Sequence, residues 1–389
     1  MKRIIMKIFH GIAYIFYIVL FWVLFPFSNL FLGRKKIWII NERGYDARDN
    51  GYHFFKYVVN NHPEVKCYYA IHKKSSDYQN VRGFKNVIEQ GSLKHIFLFS
   101  CAKAKISSQV NGYAPNKYYA MYLKKHHLQG KNIGLKHGIF KNIHKNYFKE
   151  NSHLDLIIAG AKPEYEFIKE NFGFKEEEVA YCGLARFDNL HNQEVKNQIL
   201  VMPTFRIPLG GLSDEEFRKT EYFEKWDSLL KKLDTELGTK TNVVFYIHAM
   251  FQKYVHLFEG QYKNIIVAKF ADFDVQQLLK ESALLITDFS SVFFDFAYMN
   301  KPAIYYQFDE EFYYSHHYKK GYFDYRKDGF GKVCIDGNEC LEEVKRLFSN
   351  SFVLDNQYED RIQTFYPLHD DKNCERIFEK VVTILWKKF

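Results

Sequence analysis

The sequence predicts an α/β protein of two mostly parallel sheets, each carrying helices on both faces. Three observations carry this. Short apolar runs alternate with helical stretches between residues 37 and 182, the pattern of strand–crossover–strand units. After a polar stretch at Asn189 to Asn197, the alternation begins again at Ile199. Finally, Leu284 to Glu311 (LLITDFSSVFFDFAYMNKPAIYYQFDEE) reads in one piece as buried strand, polar turn, helix and second buried strand. A helix that starts just beyond the carboxyl end of a parallel strand turns its first amides toward an anion.

In chain order, Ile37 to Ile40 is a buried strand, followed by a polar turn and a helix from about Tyr52 to Asn60 with Asp49 or Asn50 as its cap. Val65 to Ile71, Ala104 to Ser108, Ile133 to Leu135, Leu156 to Ala159 and Val179 to Cys182 are the further strands of the first series, with a helix near Leu93 to Cys101. The second series runs through strand Ile199 to Met202, a helix near Tyr222 to Leu237, strand Val243 to Ile247 and a strand near Ile265 to Ala268, up to the Leu284 segment. Cys374 to Trp386 has apolar residues at helical spacing. The expected divisions are residues 1–34, 35–190, 191–370 and 371–389: an apolar segment, an acceptor-side domain, a donor-binding domain and a terminal helix.

The first of these departs from the globular pattern. Ile8 to Leu32 is almost wholly apolar, long enough to span a membrane. Lys2, Arg3 and Lys7 precede it, and Arg34, Lys35 and Lys36 follow. Basic residues on both flanks set no orientation, and they fit equally a helix lying in an acidic lipid interface. The expectation is membrane association on the cytoplasmic face, peripheral or by one anchor.

With 389 residues the chain is long enough for two cores. A formal charge of +9 suits an anionic partner such as a phosphorylated substrate or an acidic membrane surface. The basic residues form no tail, which argues against nucleic acid. Six cysteines show neither a C-x-x-C pair nor zinc spacing, so reduced thiols and no metal are expected. There is no G-x-G-x-x-G after the first strand and no phosphate-binding G-x-x-x-x-G-K-[ST]. Asp272-Phe-Asp274 precedes an apolar helical run and reads as a helix cap.

Several strings carry a family resemblance. TDFSSVFFDFAYMNKPAIYY (Thr287 to Tyr306), Lys136-His137-Gly138, Gly183 to Asp188, Pro203-Thr-Phe-Arg206, Ile247-His248, Lys320 to Tyr325 and Asp328-Gly329 resemble, in order, the motifs of the CDP-glycerol glycerophosphotransferases. That family builds teichoic acids and related capsule polymers in bacteria. Where many members have proline after the second histidine, Ala249 stands here. The resemblance implies a GT-B fold, two Rossmann-like domains facing a cleft. It also implies transfer of glycerol phosphate from CDP-glycerol to a hydroxyl of a lipid-linked saccharide or polyol-phosphate acceptor, releasing CMP with no cofactor. CDP-ribitol as donor, glycosyl transfer from a nucleotide sugar, and a silent membrane scaffold are the alternatives.

The residues fit that chemistry. His137 follows a strand and precedes a glycine, where a neutral imidazole can take the acceptor hydroxyl's proton. Lys141, nearby, is a candidate phosphate attractor or a solvated lysine. His248 ends a strand in the second series and is expected to stabilise charge on the pyrophosphate. Arg206, beyond another strand end, can grip two phosphate oxygens, with a structural ion pair as the alternative. Ser290 and Ser291 are expected to cap the helix and seat phosphate. Asp288 is expected to orient a hydroxyl or histidine, and Asp295 to accept from ribose hydroxyls. Arg186 and Asp188 are expected to pair with each other.

Overall fold

The structure, a computed structural model, describes residues 2–32, 36–124, 126, 128–191, 193–317 and 319–386. The side chains of Lys2, Arg3 and Lys7, and the whole of Arg34, Lys35 and the linker residue Asn192, lie outside the described residues. Two compact units emerge: one of Met1–Ile139, His144–Asn189 and Asp370–Phe389, the other of Phe140–Ile143 and Leu190–His369.

The first unit holds strands β1 (Ile37–Asn41), β2 (Lys66–Ile71), β3 (Val87–Glu89), β4 (Ala104–Ser107), β5 (Lys131–Gly134), β6 (Leu156–Ala159) and β7 (Val179–Tyr181). They form a parallel sheet in the order β3-β2-β1-β4-β5-β6-β7. Alternation along β1 explains why both faces are covered. Trp38 and Ile40 join Phe54, Tyr69 and the terminal helix's Ile377 and Val381 on one side. Ile37 and Ile39 join Phe99, Tyr119 and Phe21 on the other. Each fully buried large side chain contributes about 1.5–3 kcal/mol, so a short strand with two apolar faces is held firmly.

The second unit holds β8 (Lys196–Met202), β9 (Asn242–Phe245), β10 (Ile265–Val267), β11 (Ser282–Thr287), β12 (Ala303–Tyr306) and β13 (Gly331–Cys334), parallel in the order β10-β9-β8-β11-β12-β13. The helix Glu221–Leu237 lays Trp226, Leu229, Leu230 and Leu233 on Ile199, Val201, Val243 and Phe245. Thr220 caps it, accepting from the Phe223 amide at 3.2 Å. Asp274 caps the next helix through the Gln277 amide at 2.9 Å, as its place before an apolar run suggests.

In both sheets the chain winds outward in one direction and then returns to wind the other way. The reversal falls between β1 and β4 in the first and between β8 and β11 in the second. Ligands of open parallel sheets bind outside the carboxyl ends of strands at such reversals.

Candidate active site

In the first unit the chain leaves β5 through Lys136, whose φ of +62° is left-handed, a rare conformation for a residue with a side chain. Buried bonds hold it there. The Lys136 carbonyl accepts from Asn50 Nδ2 at 2.8 Å, and its Nζ donates to Glu164 Oε1 at 2.7 Å and to the Gly138 carbonyl at 3.4 Å. Lys136 and Glu164 are fully buried. This bend turns His137 outward, with its side chain 67% exposed between buried neighbours.

His137 Nδ1 lies 2.6 Å from Asp49 Oδ2. The other Asp49 oxygen accepts from Arg186 Nη1 at 2.8 Å, and the same nitrogen donates to the His137 carbonyl at 2.5 Å. The charge of Asp49 raises the His137 pKa above the ordinary imidazole value. Burial works to raise the Asp49 carboxyl, but His137 and Arg186 outweigh it and hold it below the usual range. Beneath them Glu42, pushed up to about 8 by burial and by the charge of Asp49, accepts from the Asp49 amide at 3.0 Å. With Nδ1–H committed to Asp49, the imidazole presents Nε2 as its basic nitrogen, the arrangement a general base requires.

Two sequence expectations change here. Asp49 precedes the helix Asn50–Asn61, but its side chain makes no capping bond because it is committed to His137 and Arg186. Arg186 therefore does not pair with Asp188. Asp188 accepts from the Asn373 and Cys374 amides at 2.8 and 2.9 Å, anchoring the start of the terminal helix.

In the second unit, the loops beyond β8 and β11 meet at a buried ion-pair network. Asp288 accepts from the Thr204 amide at 2.8 Å and from Arg206 Nη2 at 2.8 Å. Arg206 Nε and Nη2 also donate to the two oxygens of Asp309, at 2.7 and 2.8 Å, and Nη1 donates to the carbonyls of Thr204 and Phe205, at 2.8 and 3.4 Å. A guanidinium has five N–H groups, and all five are committed in a side chain only 1% exposed. The structure thus gives Arg206 its alternative role, a structural ion pair, and gives Asp288 an arginine partner instead of a histidine or hydroxyl.

His248 follows β9, half-buried, its ring 4.7 Å from that of Phe205. Its Nδ1 accepts from the Met250 amide at 3.1 Å, so the neutral ring carries its proton on Nε2. Ser291 already has helical backbone angles and makes no side-chain cap, while Ser290 Oγ accepts from the Val292 amide at 3.5 Å. Asp295 is buried within the short helix Val292–Tyr298. Lys141 is also buried, its Nζ donating to the Phe289 carbonyl at 2.9 Å. Burial pulls its pKa down to about 8, with Asp288 opposing. His317 stacks on Tyr313 and edges onto Phe205, and burial, with Arg206 and Lys141 nearby, lowers its pKa to about 4.

Sequence reading thus took Asp49 only as a helix cap and passed over Asp309 and His317. The signal for Asp309 was its position just past the carboxyl end of β12, and for Asp49 its place in the polar turn between β1 and the helix Asn50–Asn61.

Residues 24–383 match the family model described as CDP-Glycerol:Poly(glycerophosphate) glycerophosphotransferase. The chain belongs to this family. It is 33% identical over 368 residues to the minor teichoic acid biosynthesis protein GgaB of Bacillus subtilis, covering 90% of this chain and 40% of that protein. It is 26% identical over 381 residues to the teichoic acid poly(glycerol phosphate) polymerase of the same organism, covering 91% and 49%. The chain therefore spans less than half the length of these two relatives. Its backbone resembles the solved wall teichoic acid polymerase TagF, with a TM-score of 0.68 at 20% identity over 90% of this chain and 89% of that one. The fold is GT-B-like, as the family resemblance implies.

Proposed function

We propose that this family member transfers glycerol phosphate from CDP-glycerol to a hydroxyl of a lipid-linked acceptor in teichoic acid or capsule polymer synthesis. The observation that carries the reading is the His137–Asp49 pair, an exposed imidazole held on one nitrogen by a buried carboxylate. The acceptor oxygen attacks the phosphorus bearing glycerol and gives its proton to His137 Nε2. The bond from that phosphorus to the bridging oxygen breaks, and CMP leaves with the electron pair. Positioning and charge stabilisation supply most of the rate in phosphoryl transfers.

In the second unit, the amides after Ser290 and Ser291 and the Nε2–H of His248 are the proposed donors to the pyrophosphate. Arg206 keeps these loops in place through Asp288 and Asp309. Asp295 is the proposed ribose contact. The enzyme works at the membrane's cytoplasmic face, with the helix Lys2–Leu32 as its attachment.

CMP release from CDP-glycerol, measured against CDP-ribitol with a defined lipid acceptor, tests the reading. His137→Ala is expected to lower turnover roughly 10²–10⁴-fold, the range for losing a general base. No CMP release from either donor by the unmodified chain would overturn it, and preference for CDP-ribitol would replace the donor.

A further inference from the structure

The first amides of a helix have no partner within it, and a capping aspartate ordinarily accepts from the amide two or three residues further on. Asp49 has the place and the extended backbone of such a cap, φ −105° and ψ −167°, ahead of the helix Asn50–Asn61. Both of those amides are already taken by other residues of the same unit. Ser108 Oγ, just past β4, accepts from the Gly51 amide at 2.8 Å. Glu42, just past β1, accepts with Oε1 from the Tyr52 amide at 2.9 Å and from the Asp49 amide at 3.0 Å. Its Oε2 accepts from the Arg48 amide at 3.4 Å.

This arrangement belongs to the core, with Glu42 and Ser108 only 2% and 1% exposed. The Glu42 side chain crosses the first helical turn so closely that a Cβ on Gly51 would lie 2.9 Å from its Cγ, a tightness that glycine allows. Ser107 Oγ donates to the Glu42 carbonyl at 3.2 Å, tying the loops after β1 and β4 together. Asn50 opens the helix, donating to the Lys136 carbonyl at 2.8 Å and accepting from the Arg186 amide at 3.0 Å. The helix start thereby gathers the loops after β1, β4, β5 and β7 around Asp49, whose carboxylate is left to His137 and Arg186.

We propose that Glu42 and Ser108 are positioning residues of this site: they cap the helix Asn50–Asn61 in place of Asp49 and so leave the Asp49 carboxylate to hold His137. Without them the freed amides and the imidazole compete for one carboxylate. An amide left unpaired in the core is costly, whereas the His137 side chain is 67% exposed and can turn to water. The amides win, and Asp49 becomes the ordinary cap that its position suggests. The proposal rests on His137 as the base for its kinetic arm only, because the His137 pKa can be read without substrate.

The test is an NMR titration of the imidazoles in the full chain, with His137→Gln to assign the His137 signal. Asp49, Arg186 and Arg43 are the charged groups that act on His137, and Asp49 raises its pKa above the ordinary value. Burial and Asp49 push Glu42 up to about 8, so near neutral pH it is largely the uncharged acid, and Ser108 carries no charge at all. Ser108→Ala, and Glu42→Met, which keeps the volume and removes the acceptor, should each lose most of the upward shift of His137. In both, kcat for CMP release should fall toward that of Asp49→Asn while KM for CDP-glycerol holds, and adding Asp49→Asn should lower kcat little further. Glu42→Gln, which keeps an oxygen for the Asp49 and Tyr52 amides, should restore the His137 pKa and kcat. An unmoved His137 pKa in folded Ser108→Ala or Glu42→Met would make that residue a structural cap only and overturn its positioning role. A lowered pKa in Glu42→Gln would show that the acid and not the acceptor matters, and would overturn the role of Glu42. Should Glu42→Met fail to fold, Ser108→Ala and Glu42→Gln decide. Shifts of the His137 pKa as expected, in a parent that releases no CMP, would leave this proposal standing and defeat the transfer reading alone.

Discussion

His137 Nδ1 lies 2.6 Å from Asp49 Oδ2, although the two residues stand 88 positions apart and neither is held by the other's secondary structure. Asp49 comes from the turn after β1 and His137 from the bend after β5. The contact fixes which imidazole nitrogen is free, and it raises the pH at which that nitrogen gives up its proton.

This sets a pH-dependent prediction. A base must be deprotonated to act, so the acid limb of kcat/KM follows the His137 pKa, raised above the ordinary imidazole value by Asp49. Asp49→Asn removes the charge, so the acid limb should move to lower pH while the plateau falls because ring orientation is lost. Rates across pH 5–9 would check it. A lower plateau with an unmoved limb would make Asp49 a structural residue only.

Arg206 gives a prediction on stability. A phosphate-gripping arginine on a surface loop could be replaced with little effect on folding. Arg206 is instead a buried cation between two carboxylates, and removing one partner of a buried ion pair costs about 3–5 kcal/mol. Arg206→Met should therefore lower the denaturation midpoint markedly as well as donor binding. Unchanged stability with lost binding would return Arg206 to direct phosphate contact.

The same reasoning applies to Lys136 and Glu164, 0% exposed and 2.7 Å apart. Lys136→Met should destabilise by about 3–5 kcal/mol. It should also slow turnover, because the left-handed bend that turns out His137 loses its anchor. Denaturation in urea and CMP release, measured on the same preparation, would check both effects.

The sequence carried the architecture because apolar strands buried on both faces are continuous runs, as in Ile37 to Ile40 and Leu284 to Ile286. It missed β3 and β13, three- and four-residue edge strands that include Glu89 and Lys332. Among the candidate residues, the positions of His137 and His248 were legible, because each follows a strand of its own unit. Their partners were not. Asp49 reads as a helix cap and Arg206 as a phosphate ligand until the loops are folded together. Which carboxylate reaches which cation depends on contacts across 88 residues for His137 and 103 for Arg206 and Asp309.

The last prediction separates donor binding from folding. Ser291 makes no side-chain cap, and its backbone is already helical, so Ser291→Ala should leave both stability and donor affinity nearly unchanged. Ser291→Glu puts negative charge at a helix N-terminus, which favours the helix, so stability should hold or rise slightly. The same carboxylate would occupy the place proposed for the donor's pyrophosphate and repel it. Binding of CDP-glycerol should therefore be abolished in a protein that melts no earlier than the parent. CMP and CDP should compete with CDP-glycerol in the parent, and free glycerol phosphate should compete poorly for lack of the cytidine. Isothermal titration alongside thermal melts would check each arm. Full CDP-glycerol affinity in Ser291→Glu would place the pyrophosphate elsewhere, while a lower melting temperature would show that the substitution acted on the fold.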